Sequence, residues 1–154
     1  MITNTLNIKF WVETIRVMAD RAPQFLDITE QVSDLVKRSG VLQGMAVVFS
    51  KHTTAAIKLN EHEPELLKDM EAFLKRVSPE DAEYCHNNFH VRTVNVEEDE
   101  TPNGHAHCQH LLLNTSETVP IMEGKLLLGT WQRIFLVELD CARPRQVLVQ
   151  VMGV

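Results

Sequence analysis

The sequence has few cysteines and no excess of basic charge, and each shortage excludes a class of protein. Its three cysteines, Cys85, Cys108 and Cys141, are an odd number and do not read as a disulfide framework. The 15 Lys and Arg residues are outnumbered by 21 Asp and Glu residues, so the net charge is -6. A nucleic-acid partner is therefore not expected, because binding to phosphate backbones requires clustered Lys and Arg.

Long apolar runs, linkers and nucleotide-binding loops are also missing. No segment approaches the ~20 apolar residues that span a bilayer, and the opening MITNTLNIKF lacks the apolar core of a secretory signal. No stretch rich in Pro, Gly or Ser divides the 154 residues, and no GxGxxG or Walker-type loop occurs. We therefore expect one cytoplasmic domain over residues 1–154, with no membrane partner.

The apolar periodicity predicts an α+β fold with mainly antiparallel sheets, two main helices and a short third helix. Strands are predicted near residues 6–12, 44–50, 54–60, 91–96, 118–122, 126–128, 132–139 and 146–152. Helices are predicted from about 28 to Gly40, from Pro64 to about 77 with a core-facing apolar stripe, and over 105–113. The strand at 132–139 is apolar on both faces, so we expect it to be covered on both sides.

Histidine is unusually concentrated in one part of the chain. Five of the seven histidines lie between positions 86 and 110, namely His86, His90, His105, His107 and His110. Imidazole is a common metal ligand and proton carrier near neutral pH. On a helix, His107 and His110 share a face and can reach one ion, although a chance surface cluster explains the same spacing. His52 follows a buried strand, where side chains tend to face a cleft.

Four charged residues stand out near predicted strand ends and turns. Glu61 precedes the second helix and suits an acid–base role, or alternatively a helix-entry carboxylate that the helix dipole favours. Glu138 lies in an apolar strand, so we expect it to be paired or functional, because an unpaired buried charge is costly. Arg143 and Arg145 flank Pro144 in a turn and can grip a phosphate, or simply be solvated there.

An ordered set of segments resembles the YjbQ family, which is often labelled secondary thiamine-phosphate synthase. The segments are HTTAAIKLNE (52–61), YCH (84–86), NGHAH (103–107), VPIMEGKLLLGTWQRIFLVELD (119–140) and VQVMG (149–153). They cover most of the chain from about Gly44 to Gly153. The resemblance implies a compact α+β domain that assembles as a homotrimer, with pockets near the subunit boundaries.

The resemblance also implies a metal site and its surroundings. The matching metal ligands are His52, His86 and His107, and the expected ion is Zn²⁺, with Mg²⁺ as an alternative for the transferase activity. The expected catalytic residues are Glu61, Gln132 and Glu138, and the expected substrate-binding residues are Thr53, Asn60, Trp131, Arg143 and Arg145. The 87–101 loop is longer than is usual in the family and carries His90 and four consecutive acids, so we expect it to cover or extend the pocket.

Three functional hypotheses follow. The first is a metal-dependent enzyme acting on a small phosphorylated metabolite, with thiamine-phosphate synthesis as a weak side activity of transferase type. The second is a non-catalytic trimeric module whose histidines bind a metal or ligand, and the third is a metal-dependent hydrolase. The synthase chemistry ordinarily uses Mg²⁺ and several basic residues for pyrophosphate, whereas this sequence offers a histidine cluster and two arginines.

Overall fold

The computed structural model describes residues 7–154, so the Leu6 end of the first predicted strand lies outside the described residues. The strands are β1 (Lys9–Met18), β2 (Gln24–Asp27), β3 (Gln43–Ser50), β4 (Ala55–Glu61), β5 (Ser116–Met122), β6 (Lys125–Leu126), β7 (Gln132–Glu138) and β8 (Pro144–Gly153). The helices are α1 (Thr29–Ser39), α2 (Pro64–Val77) and α3 (Gly104–His110), and a short 3₁₀ helix spans Cys85–Asn87.

The strands form two antiparallel sheets, which confirms the predicted α+β class. The larger sheet has the order β1-β8-β3-β5-β6 and the smaller sheet has the order β2-β7-β4. Every neighbouring pair is antiparallel. Strand β8 lies between β1 and β3, so residues from both ends of the described chain meet inside the larger sheet.

The main core lies between the two sheets and α1. It joins Val32, Leu35 and Val36 of α1 to the inward side chains of both sheets. Each of these helix residues is at most 1% exposed, and burial of such a side chain contributes about 1.5–3 kcal/mol. Gly40 ends α1 in a left-handed conformation with φ of 64°, which a residue without Cβ adopts at little cost.

Strand β7 is buried on both faces, which confirms the expectation for residues 132–139. Its Ile134 and Leu136 belong to the main core. Its Phe135 and Val137 belong to a second cluster with Leu74 of α2 and Ala106 of α3. The smaller sheet therefore forms a middle layer, with the larger sheet and α1 on one side and α2 and α3 on the other.

Two local predictions are wrong, and one strand was not predicted. No strand forms at 91–96, where the chain makes turns and bends, and the short β2 was not predicted. The apolar stripe of α2 is largely outside the core: Leu74 is 3% exposed, but Phe73 is 45% and Val77 is 50% exposed. The stripe packs only partly because α2 covers a sheet of three strands from one side.

The apolar alternation near the start of the chain lies on the solvent side of β1 rather than in the core. Phe10 is 61% and Val12 is 46% exposed, and the cross-strand register places both on the outer face of the larger sheet. That face also exposes Met45, Phe49 and Met122. We call these five residues the outer apolar face.

Within residues 7–154, no helix is both long enough and apolar enough to cross a bilayer.

Candidate active-site pocket

A cavity of about 630 Å³ opens at one end of the smaller sheet. Its walls come from three segments: residues 51–54 between β3 and β4, residues 86–107 from the 3₁₀ helix to α3, and residues 140–145 between β7 and β8. The three predicted metal ligands, His52, His86 and His107, all line this cavity. We call it the histidine pocket.

His86 and His107 pack edge to face in the histidine pocket. Their ring centroids are 4.6 Å apart and their planes meet at 67°. His86 is carried by the 3₁₀ helix and His107 by α3, two elements that contact each other directly. Burial lowers the pKa of His107, and the neighbouring His86 lowers it further. His107 therefore favours its neutral form, which can bind a cation or accept a proton.

His52 lines the pocket from the segment between β3 and β4, and its Nε2 already accepts a hydrogen bond. The backbone N–H of Gln146 donates to this nitrogen at 3.1 Å. Burial lowers the pKa of His52, and the Arg145 guanidinium lowers it further. Because Nε2 accepts this bond, the proton of the neutral ring resides on Nδ1.

The three histidines do not fit a three-imidazole metal centre in this arrangement. An imidazole binds a metal through a nitrogen lone pair. The Nε2 lone pair of His52 accepts from Gln146, and that of His86 faces Nη1 of Arg92 at 2.9 Å. Across residues 7–154, no three His, Cys, Asp or Glu side chains are grouped closely enough to hold an ion.

Glu138 is paired beneath the histidine pocket, as the sequence indicated for a charge in an apolar strand. Its side chain is 0% exposed and forms an ion pair with Arg145, whose side chain is 5% exposed. Arg145 Nη2 donates to Glu138 Oε1 at 2.6 Å and to Thr54 Oγ1 at 2.9 Å. The backbone N–H of Asp140 donates to the same carboxylate at 2.9 Å. Glu138 does not line the cavity, whereas Arg145 does.

Arg143 and Thr53 also line the histidine pocket. The Arg143 side chain is 40% exposed, and its Nη2 lies 2.9 Å from Oδ2 of Asp140. The guanidinium also contacts Cys141 Sγ through Nε at 3.1 Å and Nη2 at 2.9 Å. Arg143 is thus a predicted substrate-binding residue that is charged, partly exposed and part of the cavity wall.

The other predicted site residues lie at the opposite end of the smaller sheet. Asn60, Glu61, Trp131 and Gln132 line a separate cavity of about 350 Å³. Strand β4 runs seven residues between the two ends, which at ~3.3 Å per residue is about 20 Å. Trp131 is 70% exposed there. Within one chain, these four residues and the histidine pocket form two sites.

Sequence reasoning missed Arg92, Glu100 and Lys51, which also line the histidine pocket. Arg92 and Glu100 belong to the 87–101 loop, whose unusual length was the available signal. Neither His90, His105 nor His110 lines the pocket. His90 is exposed, and His105 is 5% exposed with its carbonyl accepting from Ser78.

Comparison with known proteins gives consistent matches across the chain. A sequence model described as UPF0047 protein YjbQ-like matches residues 13–154. A UPF0047 protein of Methanothermobacter thermautotrophicus is 37% identical over 146 residues, 95% of this chain and 94% of that protein. The UPF0047 protein YugU of Bacillus subtilis is 29% identical, covering 92% of this chain and 99% of that protein.

Two crystal structures are closely similar to this fold. A YbjQ-like protein of unknown function from Sulfolobus solfataricus P2 aligns with a TM-score of 0.86 and 36% identity, over 96% of this chain and 100% of that chain. The hypothetical protein APE1520 from Aeropyrum pernix K1 aligns with a TM-score of 0.83 and 33% identity, over 94% of this chain and 99% of that chain.

Proposed function

The chain belongs to the UPF0047 family of YjbQ-like proteins, and on this premise we propose that it is a cytoplasmic enzyme acting on a small phosphorylated metabolite. Weak thiamine-phosphate synthase activity is part of the proposal. One observation carries it: the histidine pocket combines a close imidazole pair with basic side chains in a chain that is acidic overall.

Two of the three wall segments of the histidine pocket carry an excess of basic side chains, whereas the third carries Arg92 together with Glu97, Asp99 and Glu100. Segments 51–54 and 140–145 contribute Lys51, Arg143 and Arg145 against one acid, Asp140. Arg145 is neutralised by Glu138 and Arg143 is paired with Asp140, so a phosphate group would meet Lys51 and the Arg143 side chain, which is still 40% exposed. Guanidinium and ammonium groups bind phosphate oxygens through charge-assisted hydrogen bonds. The anionic end is therefore expected against this wall.

The synthase reaction suits such a pocket because it releases an anion. It needs no base, so the role proposed for the neutral His107 ring is to hold a substrate by a hydrogen bond. The thiazole nitrogen of the thiazole phosphate forms a C–N bond to the methylene carbon of the pyrimidine diphosphate. The C–O bond of that methylene to the diphosphate breaks, and pyrophosphate leaves with the electron pair. Lys51 and Arg143 stabilise the negative charge that develops on pyrophosphate.

Binding of Zn²⁺ or Mg²⁺ stays a prediction of the family resemblance. A bound divalent ion would neutralise phosphate charge. The Nε2 atoms of His52 and His86 are engaged by N–H donors. The predicted three-histidine centre therefore requires rearrangement of this pocket. Elemental analysis of untagged protein is the direct measurement, with about one ion per chain as the expected result of that prediction.

The proposal includes the homotrimer that the resemblance implies. The outer apolar face supports self-association, because large exposed apolar patches on monomers usually mark protein contacts. A cyclic trimer joins two different surface patches of neighbouring copies. It can therefore bring Glu61, Gln132 and Trp131 of one copy towards the histidine pocket of the next, which a single chain does not do.

The activity test uses the purified protein with a pyrimidine diphosphate and a thiazole phosphate as substrates. Thiamine phosphate and pyrophosphate are quantified for the natural sequence, for His107→Asn and for the matched control His90→Asn, whose ring is exposed and outside the pocket. We expect His107→Asn to lose at least tenfold in rate and His90→Asn to keep its rate. Equal rates in all three proteins would refute the assignment of this pocket.

Pyrophosphate binding, compared with turnover, distinguishes an enzyme from a non-catalytic module. Pyrophosphate is titrated into the natural protein, Arg143→Met and the exposed control Arg16→Met by calorimetry. We expect Arg143→Met to bind at least fivefold more weakly and Arg16→Met to bind normally. Binding without turnover of any phosphorylated substrate would favour the module, and release of the transferred group to water would favour the hydrolase.

A further inference from the structure

A cavity of about 500 Å³ lies at the end of the smaller sheet that is remote from the histidine pocket. It adjoins the cavity of about 350 Å³ described above, because Glu61, Thr130 and Trp131 line both. Its wall also includes Asp27 from the end of β2 and His62 from the link between β4 and α2. We call it the Trp131 cavity. The proposed function uses neither Asp27 nor His62.

The Asp27 carboxylate determines which nitrogen of the His62 ring carries a proton. Burial opposes ionisation of Asp27, but the hydrogen bonds that its carboxylate accepts outweigh burial and lower its pKa to about 2. Asp27 Oδ2 lies 2.8 Å from His62 Nδ1. An ionised carboxylate only accepts hydrogen bonds, so Nδ1 of His62 is protonated and donates. In the neutral ring, Nε2 therefore keeps its lone pair.

The His62 ring is held in place while its Nε2 stays free. The ring packs edge to face against the buried Phe135, with centroids 5.5 Å apart and planes at 71°. The His62 side chain is 47% exposed and lines the Trp131 cavity. No group within residues 7–154 forms a hydrogen bond with its Nε2. His62 thus offers a fixed hydrogen-bond acceptor to a ligand in this cavity.

The cation of the Trp131 cavity is neutralised, whereas one of its carboxylates is not. Arg133 donates through Nε to Asp27 at 2.8 Å and through Nη2 to Glu30 at 3.0 Å. In the described part of the chain, no Lys, Arg or His side chain is paired with Glu61. Trp131 is 70% exposed, and an indole face attracts cations and stacks on aromatic rings. The groups left for a ligand are a carboxylate, an imidazole lone pair and an indole.

We infer that the Trp131 cavity binds a small organic cation, namely a protonated amine that also carries an aromatic ring. The ammonium group donates to the Glu61 carboxylate and to His62 Nε2, and the ring stacks on Trp131. Glu63 also lines the cavity and adds negative charge there, although its carboxylate accepts from backbone N–H groups of α2. The inference concerns binding alone and does not depend on the proposed activity.

The test follows the indole N–H signals of the two tryptophans by ¹H–¹⁵N NMR, because Trp131 lines the cavity and Trp11 lies on β1. Benzylamine is titrated at pH 8, where it is a cation and an ordinary imidazole is neutral. We expect the Trp131 signal to shift to saturation and the Trp11 signal to stay unchanged. Benzyl alcohol has the same ring without the charge and should bind at least fivefold more weakly. Benzoate should not bind.

Variants of the cavity assign the contacts to individual side chains. Glu61→Gln should weaken benzylamine binding at least fivefold, because the carboxylate charge is lost. His62→Asn should weaken it at least threefold, because the imidazole acceptor is lost. The matched control Glu65→Gln removes a carboxylate that is 75% exposed in the first turn of α2 and does not line the cavity. It should bind benzylamine as the natural protein does.

Three results would overturn the inference. The first is equal binding of benzyl alcohol and benzylamine, which would leave ring stacking alone. The second is unchanged benzylamine affinity in folded Glu61→Gln. The third is tighter binding of Nα-acetyl-lysine amide, an ammonium group without a ring, because the ligand would then be a protein side chain rather than a small aromatic amine.

Discussion

The ion pair between Glu138 and Arg145 supports a quantitative prediction about stability. The Glu138 side chain is 0% exposed and lies beneath the histidine pocket, and the Arg145 side chain is 5% exposed and lines it. Arg145→Met leaves a buried carboxylate without its cation, although backbone N–H groups of Leu139 and Asp140 still donate to it. Glu138→Gln leaves a buried guanidinium facing a neutral amide.

Each single substitution is expected to destabilise the protein by about 3–5 kcal/mol, the usual effect of removing one partner from a buried pair. Glu138→Gln/Arg145→Met removes both charges, while the amide oxygen still accepts from the backbone N–H groups. The double variant should therefore lose only about 1–2 kcal/mol. The difference between the sum of the single effects and the double effect is then at least about 4 kcal/mol.

Urea unfolding followed by circular dichroism measures these free energies, at one protein concentration because assembly shifts apparent stability. A loss of 3–5 kcal/mol is a large part of the ~5–15 kcal/mol that stabilises an ordinary domain. The reasoning is refuted if either single variant loses less than about 1 kcal/mol. It is also refuted if the double variant loses the sum of both.

Three further predictions concern other parts of the fold. Burial opposes ionisation of Asp27, but hydrogen bonds from Thr29, Arg133 and His62 outweigh it and lower the pKa from 3.8 to about 2. About 2 kcal/mol of stability should therefore be present above pH 4 and lost as pH falls towards 2, and Asp27→Asn should flatten this part of an acid-unfolding profile. Gly44→Ala should cost about 1–3 kcal/mol in urea unfolding, because its Cβ would lie 2.0 Å from the Met152 carbonyl oxygen; an unchanged midpoint would contradict this. Met45→Glu on the outer apolar face should reduce the assembly mass measured by light scattering, and an unchanged mass would show that this face is not the contact.

The fold class was predictable because the period of apolar residues reports directly on helix and strand geometry. The start of α2 follows from Pro64, and the end of α1 follows from Gly40, each through a local backbone property. The side of β1 that faces the core was not predictable. An apolar stripe at Phe10 and Val12 indicates a covered surface, but it does not distinguish a core from a contact between copies.

The site was predictable only in part for a similar reason. The sequence pointed to His52, His86 and His107, and one cavity contains all three. The sequence does not reveal that the length of β4 separates Glu61 from these histidines, because the order of motifs along the chain says nothing about the distances between them in the fold. Nor does it reveal that Arg92 reaches His86, since that contact depends on the turns of an irregular loop that no periodicity describes.

The position of β8 has a consequence for folding during translation. This strand follows in sequence every partner that it joins, yet it occupies the interior of the larger sheet between β1 and β3. Until it emerges, the nascent chain presents two strands with unpaired edges, which are prone to aberrant association. Completion of the larger sheet therefore has to wait until Pro144–Gly153 has been translated.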